Sequence, residues 1–217
     1  HRRAPVMTTL LIAANVAVFI YQIVLMLKGQ RVLEGWLTEH ALVPARLIDG
    51  VADREEWLTV FSSMFLHGGV AHVLGNCWFL WIFGGNVEDR LGSFQFLLFY
   101  LLTGVAAAAA QLLSHPSSAI PMIGASGAIS GVLGAYFSLV PRAWIVTLVP
   151  WIVPIVPLPA FVFLFVWFAF QAMNGVGAWM SGAGGGGGVA WWAHAGGFAA
   201  GVVLILFARK RGWARRR

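Results

Sequence analysis

Apolar residues run through this chain in long blocks rather than in the narrow periodic stripes of a water-facing helix. Six blocks approach or exceed the roughly 20 apolar residues that a helix needs to cross a ~30 Å hydrocarbon core. They cover residues 7–27, 61–84, 93–113, 123–140, 158–174 and 189–208. The first is too long for the apolar region of a signal peptide, and no small-x-small cleavage site follows it. The segments between them differ in character. Residues 28–57 mix Lys28, Arg31, Arg46 and Arg54 with Glu34, Glu39, Asp49, Asp53, Glu55 and Glu56, and also carry the apolar pairs Trp36-Leu37 and Leu42-Val43. That mixture predicts an ordered interfacial loop rather than a flexible linker. Residues 86–92 predict a tight loop, and 114–121 a turn-rich break. Five prolines between 141 and 159 predict an irregular connector at the membrane, because proline interrupts a straight helix. Residues 175–188, with consecutive glycines at 184–188, predict a mobile loop.

Composition agrees with the pattern. The hydrophobic share is 59% and the charged share 10%, against roughly 25% charged in a soluble domain. Mean hydropathy is +0.81. Such a chain cannot cover a water-facing surface, so an integral membrane protein is expected. The single cysteine, Cys77, excludes a disulfide framework and a CxxC motif. The net charge of +6 does not point to nucleic acid, since Arg209, Lys210, Arg211 and Arg215, Arg216, Arg217 crowd the last nine positions beside an apolar block. A basic tail next to a span favours the cytoplasmic face and anionic lipid.

The fold class predicted is therefore an all-α membrane protein, a bundle of six transmembrane helices, with a tail at 1–6, a core at 7–208 and a basic tail at 209–217. Six spans place both termini on one side. That side would hold Arg2, Arg3, Arg90, Arg142 and the six tail residues; the other would hold Lys28, Arg31, Arg46 and Arg54. Ten basic residues against four put both termini in the cytoplasm, and loops 28–57 and 175–188 outside.

Candidate chemistry follows from that topology. The second, fourth and sixth spans all run from outside to inside. His67, His72 and Asn76 fall in the outer half of the second, Ser126 in the first turn of the fourth and His194 in the second turn of the sixth, so these groups converge at one depth near the outer face. Intramembrane polar groups are costly unless they face an interior or a wet cavity. No Asp or Glu follows Asp89, which makes a Ser-His-carboxylate triad within the membrane improbable. A Ser126–His194 dyad remains, with His194 as general base. His72 and Asn76, four apart, share a helix face and offer N–H donors to an oxyanion, as does the backbone N–H of Ser126 at a helix N-terminus. Gly127, Gly131 and Gly134 on the fourth span, with Ala193, Gly197 and Gly201 on the sixth, let two helices approach closely.

Three stretches carry a resemblance: His67-Gly-Gly-Val-Ala-His72-Val-Leu-Gly-Asn76, Gly124-Ala125-Ser126-Gly127, and Ala193-His194-Ala195-Gly196-Gly197 with Gly201. In order and spacing they resemble the signature of the rhomboid intramembrane serine proteases. The resemblance implies Ser126 as nucleophile, His194 as base, and His72 and Asn76 in the oxyanion hole, with no cofactor and no metal. It implies transmembrane proteins as substrates, cut near the outer face of a prokaryotic inner or plasma membrane. Loop 28–57 would be the family's membrane-embedded first loop, 175–188 its cap and the fifth span its lateral substrate gate. Two positions depart from the family pattern: Leu58 follows Trp57 where Trp-Arg is common, and Ser130 stands where an aromatic residue often packs on the histidine.

Each residue also has a plainer reading. A GxSG stretch is common in Ala/Gly-rich membrane helices, Asn76 can simply bind two helices together, and His67 reads as structural. A metalloprotease would need HExxH and an aspartyl protease two intramembrane aspartates; neither is present. A small transporter shares the broken helices, but no internal repeat is visible. The closest alternative is a catalytically inactive rhomboid-like protein that binds transmembrane helices.

Overall fold

The computed structural model describes residues 4–51, 53–149, 153–180 and 189–214. Helix α1 (Val6–Lys28) is followed by three short helices, α2 (Gln30–His40), α3 (Pro44–Asp49) and α4 (Arg54–Ser62). Then come α5 (Val70–Leu91), α6 (Ser93–Ser114), α7 (Ser126–Leu139), a hairpin of β1 (Trp144–Val149) and β2 (Val153–Pro159), α8 (Ala160–Met180) and α9 (Trp191–Lys210). Among the described residues, four helices (α1, α6, α8, α9) are long and apolar enough to cross a membrane. A fifth span is reached if α5 is counted with the preceding segment 54–65, from which it bends by 81°.

The side-chain distribution is that of a protein whose solvent is lipid. Leu10 and Ile20 on α1, Trp78 and Trp81 on α5, Phe94 on α6 and Phe165 on α8 are exposed. Asn15, Gln22, Thr103, Gln111 and Gln171 are buried. Without water outside, polar groups gain most by pairing within the bundle.

Helix α7 is the centre. Its 14 residues extend only about 21 Å, less than a bilayer core, and Ala128 to Tyr136 are all buried. It packs against α9, α6 and α5, and more lightly against α8. The contact with α9 is backbone on backbone. A Cβ on Gly197 would overlap the carbonyl of Gly127, and one on Gly201 the carbonyl of Gly131. The small residues of the two helices therefore mesh as their spacing predicts. Thr103 Oγ1 on α6 donates to the Ala128 carbonyl (3.2 Å), adding a polar tie to the same centre.

Several boundaries differ from those read in the sequence. The second span starts only at Val70, because the 3₁₀ turn Ser63–Phe65 and the loop through Gly69 redirect the chain. It then continues to Leu91, so 86–92 is helix rather than loop and the turn shrinks to Gly92. Glu88, 3% exposed, explains the extension. Its carboxylate accepts from the N–H groups of Met7 and Thr8 (both 2.8 Å), Thr8 Oγ1 (2.8 Å) and Ser93 Oγ (2.6 Å). It thus caps the N-terminus of α1, where anions are favoured, and joins three helix ends. The all-α expectation is corrected at 141–159. That connector is an antiparallel hairpin, Trp144 pairing with Pro159 and Thr147 with Val156. The β-branched residues Ile145, Val146, Thr147 and Val149 suit a strand, and prolines are tolerated in a strand that lies at a sheet edge. Helix α8 runs to Met180, so residues 175–180 of the segment expected to be a glycine-rich loop are helical; the glycines at 184–188 lie outside the described residues, as do Arg2, Arg3 and Arg215–Arg217.

The loop at 28–57 is ordered, as expected, by its own helices and by Arg46. The Arg46 guanidinium donates to Glu56 Oε2 (2.7 Å) and to the carbonyls of Ala41 (2.7 Å) and Thr38. Leu42 and Met122 exchange two backbone hydrogen bonds (3.2 and 2.7 Å), and Ala45 N–H reaches the Ser118 carbonyl (3.0 Å). The first loop is thereby stitched to the strand of chain leading to Ser126.

Candidate active site

Ser126 is the first residue of α7. Gly124, two residues earlier, has φ +125°, a conformation that side chains disfavour, and its N–H donates to the Ser63 carbonyl (2.9 Å). A Cβ there would lie 2.7 Å from His72 Nε2 and 3.5 Å from Ser126 Oγ. The first glycine of the GASG stretch is therefore required twice, by its dihedral and by the closeness of His72. It also brings His72 Nε2 and Ser126 Oγ to either side of one small space.

Helix α9 begins at Trp191, which moves His194 from the expected second turn into the first. There its Nε2 lies 2.8 Å from Ser126 Oγ. Its Nδ1 lies 2.8 Å from Gln171 Oε1 on α8. An amide oxygen only accepts, so the proton of a neutral ring sits on Nδ1 and Nε2 is left to accept from the serine hydroxyl. The ring of Trp167, one turn before Gln171, lies 6.1 Å from the imidazole centroid at 35°. Where Ser130 replaces an aromatic residue on α7, α8 supplies one instead. Ser130 Oγ donates to the Ser126 carbonyl (2.6 Å).

His72 and Asn76 lie on the first turns of α5. His72 Nδ1 accepts the N–H of Gly68 (3.3 Å), which puts the ring proton on Nε2, the atom facing Gly124 and Ser126. Asn76 Nδ2 is buried without a hydrogen-bond acceptor. A buried amide donor left unpaired costs about 1–3 kcal/mol. The N-terminus of α7 has no side-chain cap. The His67 ring meets the His72 ring edge-on (centroids 5.1 Å apart, 73°), and its backbone N–H and carbonyl pair with Gln22 on α1 (3.0 and 2.8 Å). That is the structural role expected of it, although its tie is to the first span.

Ser126, His194, His72, Asn76 and Gln171 line one cavity of about 570 Å³. No Asp, Glu, Lys or Arg lines it among the described residues, so a charge developing there meets only dipoles in a low-dielectric surround. No group of three or more His, Cys, Asp or Glu side chains suited to a metal ion occurs among the described residues. The family model of the Rhomboid domain matches residues 54–211, which hold every one of these side chains.

The chain belongs to the rhomboid family. It is 35% identical over 156 residues to rhomboid-like protein 11, chloroplastic, of Arabidopsis thaliana, covering 71% of this chain and 53% of that one. Over 80 residues it is 42% identical to the rhomboid protease GluP of Bacillus subtilis (strain 168), covering 37% of this chain and 15% of GluP. The putative rhomboid protease YdcA of the same organism is 34% identical over 91 residues, 42% of this chain and 45% of YdcA. The chain spans about half the length of the first of these relatives and less of the others. Membership and the apolar helices make it an integral membrane protein.

Of the polar groups that line this rhomboid cavity, the sequence reading named Ser126, His194, His72 and Asn76 as site residues and missed Gln171. It missed Gln111 too, whose Oε1 accepts the N–H of Ala193 (3.3 Å) at the start of α9. The signal for both was the one applied to His194: an uncharged polar residue inside an apolar block needs a partner.

Proposed function

We propose that this protein is an intramembrane serine endopeptidase that hydrolyses peptide bonds in or next to transmembrane helices of other membrane proteins. Ser126 is the nucleophile and His194 the general base. The observation that carries this reading is the 2.8 Å contact of Ser126 Oγ with a His194 ring whose other nitrogen is engaged.

The chemistry runs on groups already described. Ser126 gives its proton to His194 Nε2 as Oγ bonds to the scissile carbonyl carbon. The carbonyl oxygen becomes the oxyanion, within reach of His72 Nε2–H, Asn76 Nδ2–H and the uncapped N-terminus of α7, all donors and none anionic. His194 then protonates the leaving amine as the C–N bond breaks. In the second half water loses a proton to His194, attacks the acyl-enzyme and releases Ser126 with its proton restored. No carboxylate stabilises the imidazolium, so slow turnover is expected.

The architecture we infer is six spans across residues 7–208, with α7 as a short fourth span, both termini cytoplasmic and the site near the outer face. A short central helix supports this depth, because it starts below the surface and leaves room for water above Ser126. The location is a prokaryotic inner or plasma membrane; the partners are transmembrane substrates and the bilayer itself.

A fluorophosphonate probe should label the detergent-solubilised protein, and Ser126→Ala should abolish labelling. His194→Ala should abolish cleavage of a reporter transmembrane helix while the protein still folds. Labelling retained in Ser126→Ala would remove the nucleophile assignment, and a folded wild type that neither labels nor cleaves would favour an inactive binder of membrane helices.

A further inference from the structure

We propose that Gln171 is a positioning residue of this site: its side-chain oxygen holds the Nδ1 proton of His194 and so keeps Nε2 free to accept from Ser126. The inference rests on the Ser126–His194 reading above. It starts from an oddity of α8. That helix is apolar and largely lipid-facing, with Phe161, Phe165, Val166, Phe170 and Met173 exposed, yet Gln171 is turned inward and is 6% exposed. An amide buried in an apolar helix is costly unless paired. Its oxygen meets His194 Nδ1 at 2.8 Å.

That contact has a chemical consequence. A neutral imidazole carries one proton, and the protonated nitrogen is set by what the other nitrogen and its partners demand. Gln171 Oε1 has no proton to give, so it selects the Nδ1–H form, in which Nε2 presents its lone pair to the serine hydroxyl. The opposite tautomer would point an N–H at Ser126 and leave no base. In a Ser-His-Asp triad the carboxylate makes the same selection and also stabilises the imidazolium. Gln171 does the first and not the second. A neutral orienter suits this cavity, because an unpaired carboxylate within the membrane would carry a heavy desolvation cost.

Helix α8 fixes the ring a second way. Trp167 and Gln171 are one turn apart and share a face; the amide meets the edge of the imidazole while the indole lies near its face. The orientation of the base is thus held from α8, and its partner Ser126 from α7.

Two measurements test this on the full-length protein in detergent. The first compares fluorophosphonate labelling and reporter cleavage in Gln171→Met, which fills the space without an acceptor, and Gln171→Glu, which keeps an acceptor oxygen. Gln171→Met should lower the labelling rate and kcat about 10–100-fold, the range seen when a group that orients a metal-ligating histidine is lost, with KM unchanged. Gln171→Glu should recover most of the rate. A packing role alone would slow both variants alike. The second reads the wild type itself: ¹⁵N-histidine spectra, with His194 assigned by the signal lost in His194→Gln, should show a protonated Nδ1 and an unprotonated Nε2. Wild-type rates in Gln171→Met, or a His194 proton on Nε2, would overturn the proposal. A wild type that shows the Nδ1–H signal but never labels would instead remove the protease reading and leave the hydrogen bond from His194 to Gln171 standing.

Discussion

Gly197→Ala ties packing to chemistry in this fold. Gly197 lies one turn after His194 on α9 and faces the carbonyl of Gly127, the residue after Ser126. A methyl group there meets backbone, which has no rotamer by which to withdraw. Ordinary contact between a carbon and a neighbouring heavy atom begins near 3.4 Å, so α7 and α9 must separate by about 1 Å. Overpacking of this kind costs roughly 1–3 kcal/mol. The same separation stretches the 2.8 Å Ser126–His194 contact beyond hydrogen-bonding range, since the helices that part are the two that carry its ends. A misplacement of about 1 Å in a reacting pair costs on the order of 10²-fold in rate. Gly197→Ala should therefore label with fluorophosphonate about 10²-fold more slowly and unfold at lower temperature or denaturant. Gly35→Ala on α2, where an added Cβ meets nothing within 4 Å, is the control. It should label normally and be slightly stabilised, because alanine is the better helix former by up to ~1 kcal/mol. Wild-type labelling and stability in Gly197→Ala would refute the view that backbone contact between α7 and α9 sets the serine–histidine distance.

Two further outcomes are expected. Asn76→Ala removes an unpaired donor from the cavity and should lower kcat for reporter cleavage about 10²–10³-fold with little change in KM; an unchanged kcat would leave Asn76 a packing residue. Glu88→Gln replaces one carboxylate oxygen by an NH2 group that cannot accept, so either Met7 N–H and Ser93 Oγ or the two Thr8 donors lose their acceptor, and should destabilise the fold by about 1–3 kcal/mol in equilibrium unfolding. The labelling rate per folded molecule should stay at the wild-type level, because Glu88 joins the far ends of α1, α5 and α6.

How much of this was legible in the sequence follows from how local each determinant is. The apolar blocks at 7–27, 93–113 and 189–208 became α1, α6 and α9 with ends shifted by one or two residues, since a helix in lipid satisfies its own backbone and needs no distant partner. The break near Gly69 and the extension to Leu91 were not visible, because they depend on contacts far along the chain. Glu88 bonds across about 80 positions to Met7 and Thr8, and the segment before Ser126 is fixed by Ser63 and Leu42. The hairpin at 144–159 was hidden for a different reason: its prolines announce where a helix fails and do not say what replaces it. In the site, Ser126, His194, His72 and Asn76 announced themselves through small-residue motifs, whereas Gln171 sits among Phe, Val, Trp and Ala with no motif around it. What marks Gln171 is energetic. A side chain that lipid cannot solvate must spend its hydrogen bonds inside the bundle, and among the groups α8 can reach, His194 Nδ1 is the donor it meets. On the proposed reading, the dipole that orients the base is carried by a largely lipid-facing helix, so the competence of His194 depends on α8 being seated against α9.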